Sequence, residues 1–422
     1  MGWRANTGRR QTYRPEVSRS DALGRKHKPD YWLLTLSVLL LAIGLVVVYA
    51  ISPALSASRH VSNSYYVGKQ LIAIGLSIVA FAITSQIPLT TWKRLYKPLI
   101  GLALFATALA LILPVNPDYP AHRWVRLGSF SFQSVELVKF ALMFWLAGFF
   151  VQQMRSGKIT DSKAMLKPLL GVVAAIGLII ANPKLQSDLG STGVIVAMIA
   201  TMAYVAGMPF RRIMLIAGII AIGTLLLIAS SSYRRERVAT FLHPEANCQT
   251  TSWQACQAII AVGSGGMIGV GLGRSVQANG YVPEAANDSI FAIYAEVFGF
   301  VGTLVLLGLY LALFSRMKRI AERAPDDFSR LLVVGVLTWL SVQTLINIGA
   351  MIGLLPLKGI TLPFISYGGT SVVFVAAAVG LVFQISHYSS FVAPIDDERS
   401  GYDNRRDRRR VRGAYHPNFG SR

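Results

Sequence analysis

Tyr281-Val-Pro-Glu-Ala-Ala-Asn-Asp288 opens directly into Ser289-Ile-Phe-Ala-Ile-Tyr-Ala-Glu-Val-Phe-Gly-Phe-Val-Gly-Thr-Leu-Val-Leu-Leu-Gly-Leu-Tyr-Leu-Ala-Leu-Phe-Ser315. The second stretch is almost wholly apolar. At about 1.5 Å of helical rise per residue, roughly 20 such residues cross a hydrocarbon core about 30 Å thick. Nine further runs of this kind occur, at 31–52, 66–85, 97–115, 135–153, 165–182, 189–207, 211–230, 329–352 and 366–388. Backbone polar groups must be paired in lipid, so these runs predict an all-α integral membrane bundle of ten transmembrane helices. A large extracytoplasmic loop falls between spans 7 and 8.

Composition agrees with that class. The 422 residues are 53% hydrophobic and 14% charged, with a mean hydropathy of +0.49. Basic residues orient the chain. With the N-terminus inside, the short inner loops carry Lys93, Arg94 and Lys97, then Arg155, Lys158, Lys163 and Lys167, then Arg211 and Arg212, then Arg316, Lys318, Arg319, Arg323 and Arg330. The short outer loops are poorer, holding Arg59, Arg123, Arg126, Lys184 and Lys358. Most of the net charge of +21 is therefore topological, and clusters beside spans point to lipid headgroups, not nucleic acid. The chain divides into a basic cytoplasmic tail (1–30), a membrane domain (31–388) and a second basic cytoplasmic tail (389–422), which includes Arg405–Arg412. The first apolar run is too long for a signal-peptide core and is expected to remain as a span.

Two outer segments exceed a simple turn: Asn116–Ser134, and the stretch from about Ser231 to Asn287. The middle of the latter, Gln257–Gly271, is too short to span and reads as an interfacial or re-entrant helix. The two cysteines, Cys248 and Cys256, share this loop, where an oxidising exterior favours a disulfide. No Walker A motif occurs, and the six histidines form no ligand pair.

Several polar residues at membrane depth carry alternative readings. Asp288 is either the N-cap of the span it precedes or a general base at a cavity mouth. Glu284 is a cavity wall or a solvated acid. Glu296, eight residues past Asp288, would lie on nearly the same helical face and calls either for a buried cation as partner or for a catalytic role. Glu136 and Lys139, at i and i+3, read as an internal ion pair, with substrate contact by Lys139 as the other option. Arg123 and Arg126 match phosphate oxygens or anchor to headgroups. Gln186 and Asp188 suit a cavity wall or a helix cap. Lys358 either snorkels or neutralises an anionic substrate, and Ser366 begins a run of amides able to meet phosphate at a helix start. Gly263–Gly273 offers either the same service or close helix packing. Together these residues describe an outward-facing cavity for an amphiphilic anion.

At these positions the chain resembles the SEDS family (shape, elongation, division and sporulation), the bacterial peptidoglycan polymerases FtsW and RodA. The likeness covers about 31–388, through Arg123-Trp-Val-Arg-Leu-Gly128, Gln133–Lys139, Gln186–Gly190, Gly263–Gly273, Tyr281–Phe300 and Asn347–Ser371. It implies a ten-span fold that polymerises lipid II by inverting glycosyl transfer on the outer face of the cytoplasmic membrane. Asp288 matches the family's essential aspartate. Arg123, Glu136, Lys139, Gln186, Asp188 and Lys358 fall at other motif positions, with Glu284 and Ser366 as further substrate-binding candidates. A divalent cation, Mg or Mn, is implied, with Asp288 and Glu284 as candidate ligands. The implied partners are lipid II, undecaprenyl diphosphate-linked glycan, a class B penicillin-binding protein and other divisome proteins. Departures are local: Ala286-Asn-Asp288 before Ser289 replaces His-Thr-Asp before Phe, Gln186-Ser-Asp188 lacks a proline, and Gln133-Ser-Val-Glu136 varies Gln-Pro-Ser-Glu. Val282-Pro-Glu-Ala285 favours the division branch, FtsW, and hence the septum, over the elongation branch, RodA. A lipid II flippase and a non-catalytic scaffold are the competing functions; polar residues gathered at one end of the spans favour the polymerase.

Overall fold

The computed structural model describes residues 28–113, 124–127, 130–159, 161–179, 188–229, 232–243, 248–250 and 252–388. Twelve helices and one hairpin occur among them: α1 (Tyr31–Ser58), α2 (Tyr65–Gln86), α3 (Leu89–Ile112), β1 (Trp124–Leu127), β2 (Phe130–Gln133), α4 (Ser134–Arg155), α5 (Ser162–Ile179), α6 (Leu189–Val205), α7 (Phe210–Ala229), α8 (Ser232–Leu242), α9 (Trp253–Ser264), α10 (Ile290–Glu322), α11 (Asp327–Met351) and α12 (Gly369–Ser386). Each of the ten apolar runs coincides with a helix. Seven of these helices, α1 to α4 and α10 to α12, are long and apolar enough to cross a membrane, with shorter apolar helices at Ala164–Ile176 and Leu189–Val205. The chain is a multi-pass helical membrane protein.

Several boundaries move. Lys93, Arg94 and Lys97 lie inside α3, not in a loop, because α3 begins at Leu89 and only Ile87–Pro88 separates it from α2. Arg316 and Lys318 likewise lie inside α10. Two of these cations are tied to carboxylates: Arg316 to Asp30 at 2.6 Å and Lys93 to Asp326 at 2.9 Å. Asp326 also caps α11 by accepting from the Ser329 amide. Burial works to raise its carboxyl, but the Ser329 amide and the Lys93 ammonium outweigh that and hold it below its ordinary range.

Helix α11 lies at the centre, packed against α4, α6, α9, α10 and α12, while α2 packs on α12 and α3 on α4. Trp339, Phe144, Phe150 and Met143 are fully buried where α4 meets α11. The apolar residues of α2 and α3 instead face outward, among them Ile72, Ile78, Leu104 and Phe105. Apolar side chains on both faces suit helices that have lipid on one side. Where helices approach most closely there is no room for a side chain. A Cβ on Gly380 of α12 would lie 2.2 Å from Thr84 Oγ1 and 2.7 Å from the Phe81 carbonyl of α2.

The glycine-rich segment resolves in favour of packing. Helix α10 is broken at Gly299 (φ 64°, ψ −165°). The irregular stretch 266–271 runs into the break and takes over its hydrogen bonds. Val270 and Gly271 amides donate to the Glu296 and Val297 carbonyls at 3.0 and 3.1 Å, and the Phe300 and Val301 amides donate back to Gly266 and Met267 at 2.9 and 3.0 Å. Non-helical backbone survives within a span when protein satisfies it in this way. Glu296 completes the joint. Its buried carboxylate accepts from Ser275 Oγ at 2.5 Å and from the Val276 and Gln277 amides at 3.0 and 3.3 Å. Its partners are loop donors, not the buried cation anticipated for it.

The Gly265 Cα lies so near α10 that a Cβ would sit 2.1 Å from the Ala295 carbonyl oxygen, whereas a Cβ on Gly263 meets nothing within 4 Å. Gly265→Ala is therefore expected to lower the thermal midpoint of the detergent-solubilised protein by several degrees, from an overpacking penalty of about 1–3 kcal/mol. Gly263→Ala should leave the midpoint unchanged. Equal midpoints for the two variants would contradict this packing.

Candidate functional site

The loop before α10 is held by its main chain. The Tyr367 amide donates to the Ala286 carbonyl at 2.8 Å. Ser366 Oγ donates to the Asn287 carbonyl at 2.6 Å, and Asn347 Nδ2 donates to the Asp288 carbonyl at 2.7 Å. Three consecutive carbonyls are thus gripped by α11 and by the irregular segment 352–368. The loop's start is fixed by the Trp253 indole of α9, which donates to the Tyr281 carbonyl at 2.8 Å. Glu284 sits at φ 52°, a left-handed conformation that a residue with a Cβ adopts only when its surroundings impose it. Residue 289, not 288, is the N-cap of α10, and its side chain makes no cap bond. Asp288 is therefore not a helix cap, and the shared helical face with Glu296 disappears because Asp288 lies outside the helix. The Asp288 side chain is partly buried.

Two amides one turn apart on α11, Gln343 and Asn347, organise the surroundings. Asn347 Nδ2 bridges the Asp288 and Ile360 carbonyls, both at 2.7 Å. Gln343 Nε2 donates to the Thr361 carbonyl at 3.0 Å, and its Oε1 accepts from Lys139 Nζ and Trp339 Nε1, both at 2.9 Å. Lys139 also pairs with Glu136 at 2.8 Å, with both side chains almost fully buried, and its ammonium lies 4.8 Å from the Trp339 ring centre. A buried charge this far from water needs such a shell of partners. Asp188 caps α6 by accepting from the Ser191 amide at 2.9 Å. The start of α6 abuts the same irregular segment: a Cβ on Gly190 would touch Ile360 and lie 3.1 Å from Lys358 Cβ. Asp288, Lys358 and Asp188 are thereby drawn to one end of the bundle. Ser366 is buried behind the loop, with its hydroxyl engaged by Asn287 and by the Leu362 amide. Arg123 and Gln186 lie outside the described residues, as do the Arg126 side chain, Lys184 and most of both tails.

Beside the loop opens a cavity of about 590 Å³, walled by Glu284–Asn287, Tyr367, Trp124 and the facing ends of α1 and α2. Asp288, next along the chain, stands just beyond this wall. Arg59 reaches Glu284 at 3.4 Å, and Glu284 also accepts from the Asn287 amide group. Lys69 Nζ meets the Tyr65 hydroxyl at 2.6 Å and lies over its ring. Burial, then the neighbouring phenols of Tyr65 and Tyr66, pushes the Tyr367 hydroxyl well above its ordinary range, so it stays a donor. Sequence reasoning passed over Arg59, Lys69, Tyr65 and Tyr66 as ordinary loop and helix-end residues. The signal for Gln343 and Asn347 was present: two amides at i and i+4 in an apolar helix. Cys248 and Cys256 are disulfide-bonded, which closes the turn before α9.

A family model described as a cell cycle protein, FtsW/RodA/SpoVE, matches residues 31–391. The chain belongs to this family. Among relatives, stage V sporulation protein E of Bacillus subtilis is 35% identical over 368 residues, covering 87% of this chain and 99% of its own. The probable peptidoglycan glycosyltransferase FtsW of Coxiella burnetii is 35% identical over 363 residues, covering 85% and 96%. A chain of a peptidoglycan synthase complex that coordinates polymerization and crosslinking superposes with a TM-score of 0.69 at 27% identity, over 85% of this chain and 97% of its own. Thermus thermophilus rod shape determining protein RodA gives 0.61 at 25%, over 85% and 96%.

Within this FtsW/RodA/SpoVE chain the buried pair offers a direct test. Lys139→Met leaves the Glu136 charge uncompensated and is expected to destabilise the protein by about 3–5 kcal/mol, read as a large loss of thermal midpoint. Adding Glu136→Gln to it should restore much of that loss. A double variant no better than the single one would show that the two side chains are not coupled.

Proposed function

We propose that the chain polymerises lipid II into glycan on the outer face of the bacterial cytoplasmic membrane, with Asp288 as its catalytic base. It is a peptidoglycan glycosyltransferase. The single observation that carries the site is the triple grip on the Ala286, Asn287 and Asp288 carbonyls beside a polar cavity. Such a grip fixes where one carboxylate points, and positioning of that kind is what general base catalysis requires.

In this mechanism Asp288 takes the proton of the glucosamine 4-hydroxyl on the incoming lipid II. The freed oxygen attacks the anomeric carbon of the muramyl sugar on the undecaprenyl diphosphate-linked glycan. The bond to diphosphate breaks with inversion, and Asp288 later releases its proton to water. Arg59, Lys69 and Lys358, with Arg123, supply positive charge for the departing diphosphate. A magnesium-type ion needs only one or two carboxylates and completes its shell with water and substrate phosphate. No cluster of three or more His, Cys, Asp or Glu side chains forms among the described residues, but Asp288 and Glu284 on one loop meet that smaller demand. They would hold Mg or Mn, whose role is to neutralise phosphate charge. Gln186, Asp188 and Ser366 complete the substrate surroundings, Ser366 by holding the loop.

Helices α1 to α7 and α10 to α12 make ten spans in this reading, with α8 and α9 on the outer side, the glycine segment re-entering from that side to meet the break in α10, and both tails in the cytoplasm. Basic residues at the Lys93, Arg155 and Arg316 ends support that orientation. The relatives named FtsW support a division role at the septum, where a class B penicillin-binding protein would crosslink the product alongside other divisome proteins.

Purified protein with its partner, given lipid II and a divalent ion, is expected to make glycan strands. Asp288→Asn should slow this at least about 100-fold. Strands formed equally by both would remove the base, and lipid II transport without strand formation would favour a flippase.

A further inference from the structure

The opposite end of the bundle carries a second cavity, of about 320 Å³, between the start of α3, the end of α4 and the start of α11. Its walls change character along their length. At the helix ends stand Lys93, Arg155, Asp326 and Asp327; further along α4 the rings of Trp145 and Phe149 stack at 5.2 Å, nearly parallel. Lys93 is already neutralised by Asp326 at 2.9 Å. Arg155 and Asp327 are not. Neither side chain forms an ion pair among the described residues, although both line this one space. Each also complements a helix dipole, Arg155 in the last turn of α4 and Asp327 in the first turn of α11. Both side chains are exposed at the cavity mouth, where water solvates them and a ligand of matching charge can reach them.

We propose that this cavity binds the headgroup of a zwitterionic, amine-bearing phospholipid, with its phosphate on Arg155, its ammonium on Asp327 and its glycerol and acyl region against Trp145 and Phe149. A simple anion would meet two carboxylates here, and a simple cation would meet Lys93 and Arg155. A ligand carrying both charges satisfies both unpaired side chains at once. Polar groups at helix ends grading into aromatic rings match the depth profile of a lipid at the membrane interface. The site is remote from Asp288 and does not depend on the glycosyl-transfer chemistry.

The test uses the purified full-length chain, stripped of lipid by detergent washing, and titrated separately with phosphatidylethanolamine, phosphatidylcholine and phosphatidylglycerol. Bound lipid is counted by native mass spectrometry and the thermal midpoint is followed in parallel. One phosphatidylethanolamine is expected to bind ahead of the others and to raise the midpoint. Phosphatidylcholine should bind more weakly because its quaternary amine has no N–H to give Asp327. Arg155→Gln and Asp327→Asn should each weaken phosphatidylethanolamine binding about tenfold or more. Only variants whose lipid-free midpoint matches wild type are scored, and the neutral substitutions keep side-chain size near that of the original. Preference for phosphatidylglycerol would overturn the zwitterion assignment. Unchanged binding in both variants, or loss of a bound protein instead of a lipid, would overturn the site.

Discussion

The irregular segments at the Asp288 end of the bundle depend on two carboxamides of α11. Gln343 and Asn347 are buried in a largely apolar helix. An amide inside a bilayer must find partners, and these two find theirs in segments that have no regular structure of their own. Asn347 ties the loop ending in Asp288 to the segment containing Ile360, while Gln343 ties that segment to the Glu136–Lys139 pair. The irregular backbone is rigid because the central helix satisfies it. Replacing it by regular helix would pair the same backbone groups, but would remove the loop that ends in Asp288 beside the cavity.

The charges sort by burial into different roles. Lys139 and Glu136, both on α4, are sealed off, so their mutual attraction offsets a large desolvation penalty, while the bond from Lys139 to Gln343 ties α4 to α11. Glu296 is equally buried but is satisfied by neutral donors, which makes it a clamp on Ser275–Gln277. Arg59, Lys69 and Glu284 remain wet at the cavity wall, where a charged ligand can compete for them. Depth, more than residue type, separates the structural ions from those available to substrate.

Much of this was legible in the sequence, and the failures have physical causes. Apolar runs located the helices because lipid demands length and hydrophobicity, and the placement of both cysteines in one outer loop anticipated the bond that ties Cys248 to the start of α9. Helix ends were misplaced where charged residues sit inside helices, as with Lys93 in α3 and Arg316 in α10. Hydropathy detects where lipid begins, not where hydrogen bonding ends. The shared face expected for Asp288 and Glu296 failed because it assumed a helix starting one residue too soon. The hairpin β1–β2 went unforeseen, since four-residue strands leave little periodicity to detect. The roles of Asn347 and Gln343 depend on contacts with residues far off in the chain, such as Asp288 and Lys139, which spacing alone does not reveal.

The interruption at Gly299 has a mechanical meaning. Because the inserted stretch 266–271 bonds to both sides of the gap, the two halves of α10 behave as a spliced beam, not as rods on a free pivot. The glycine stretch continues directly from α9, so backbone bonds join Phe300–Glu322 to that helix. The Trp253 indole of α9 in turn bonds Tyr281, where the loop carrying Asp288 begins. The two halves of α10 and that loop are thus joined by a continuous run of backbone and hydrogen bonds.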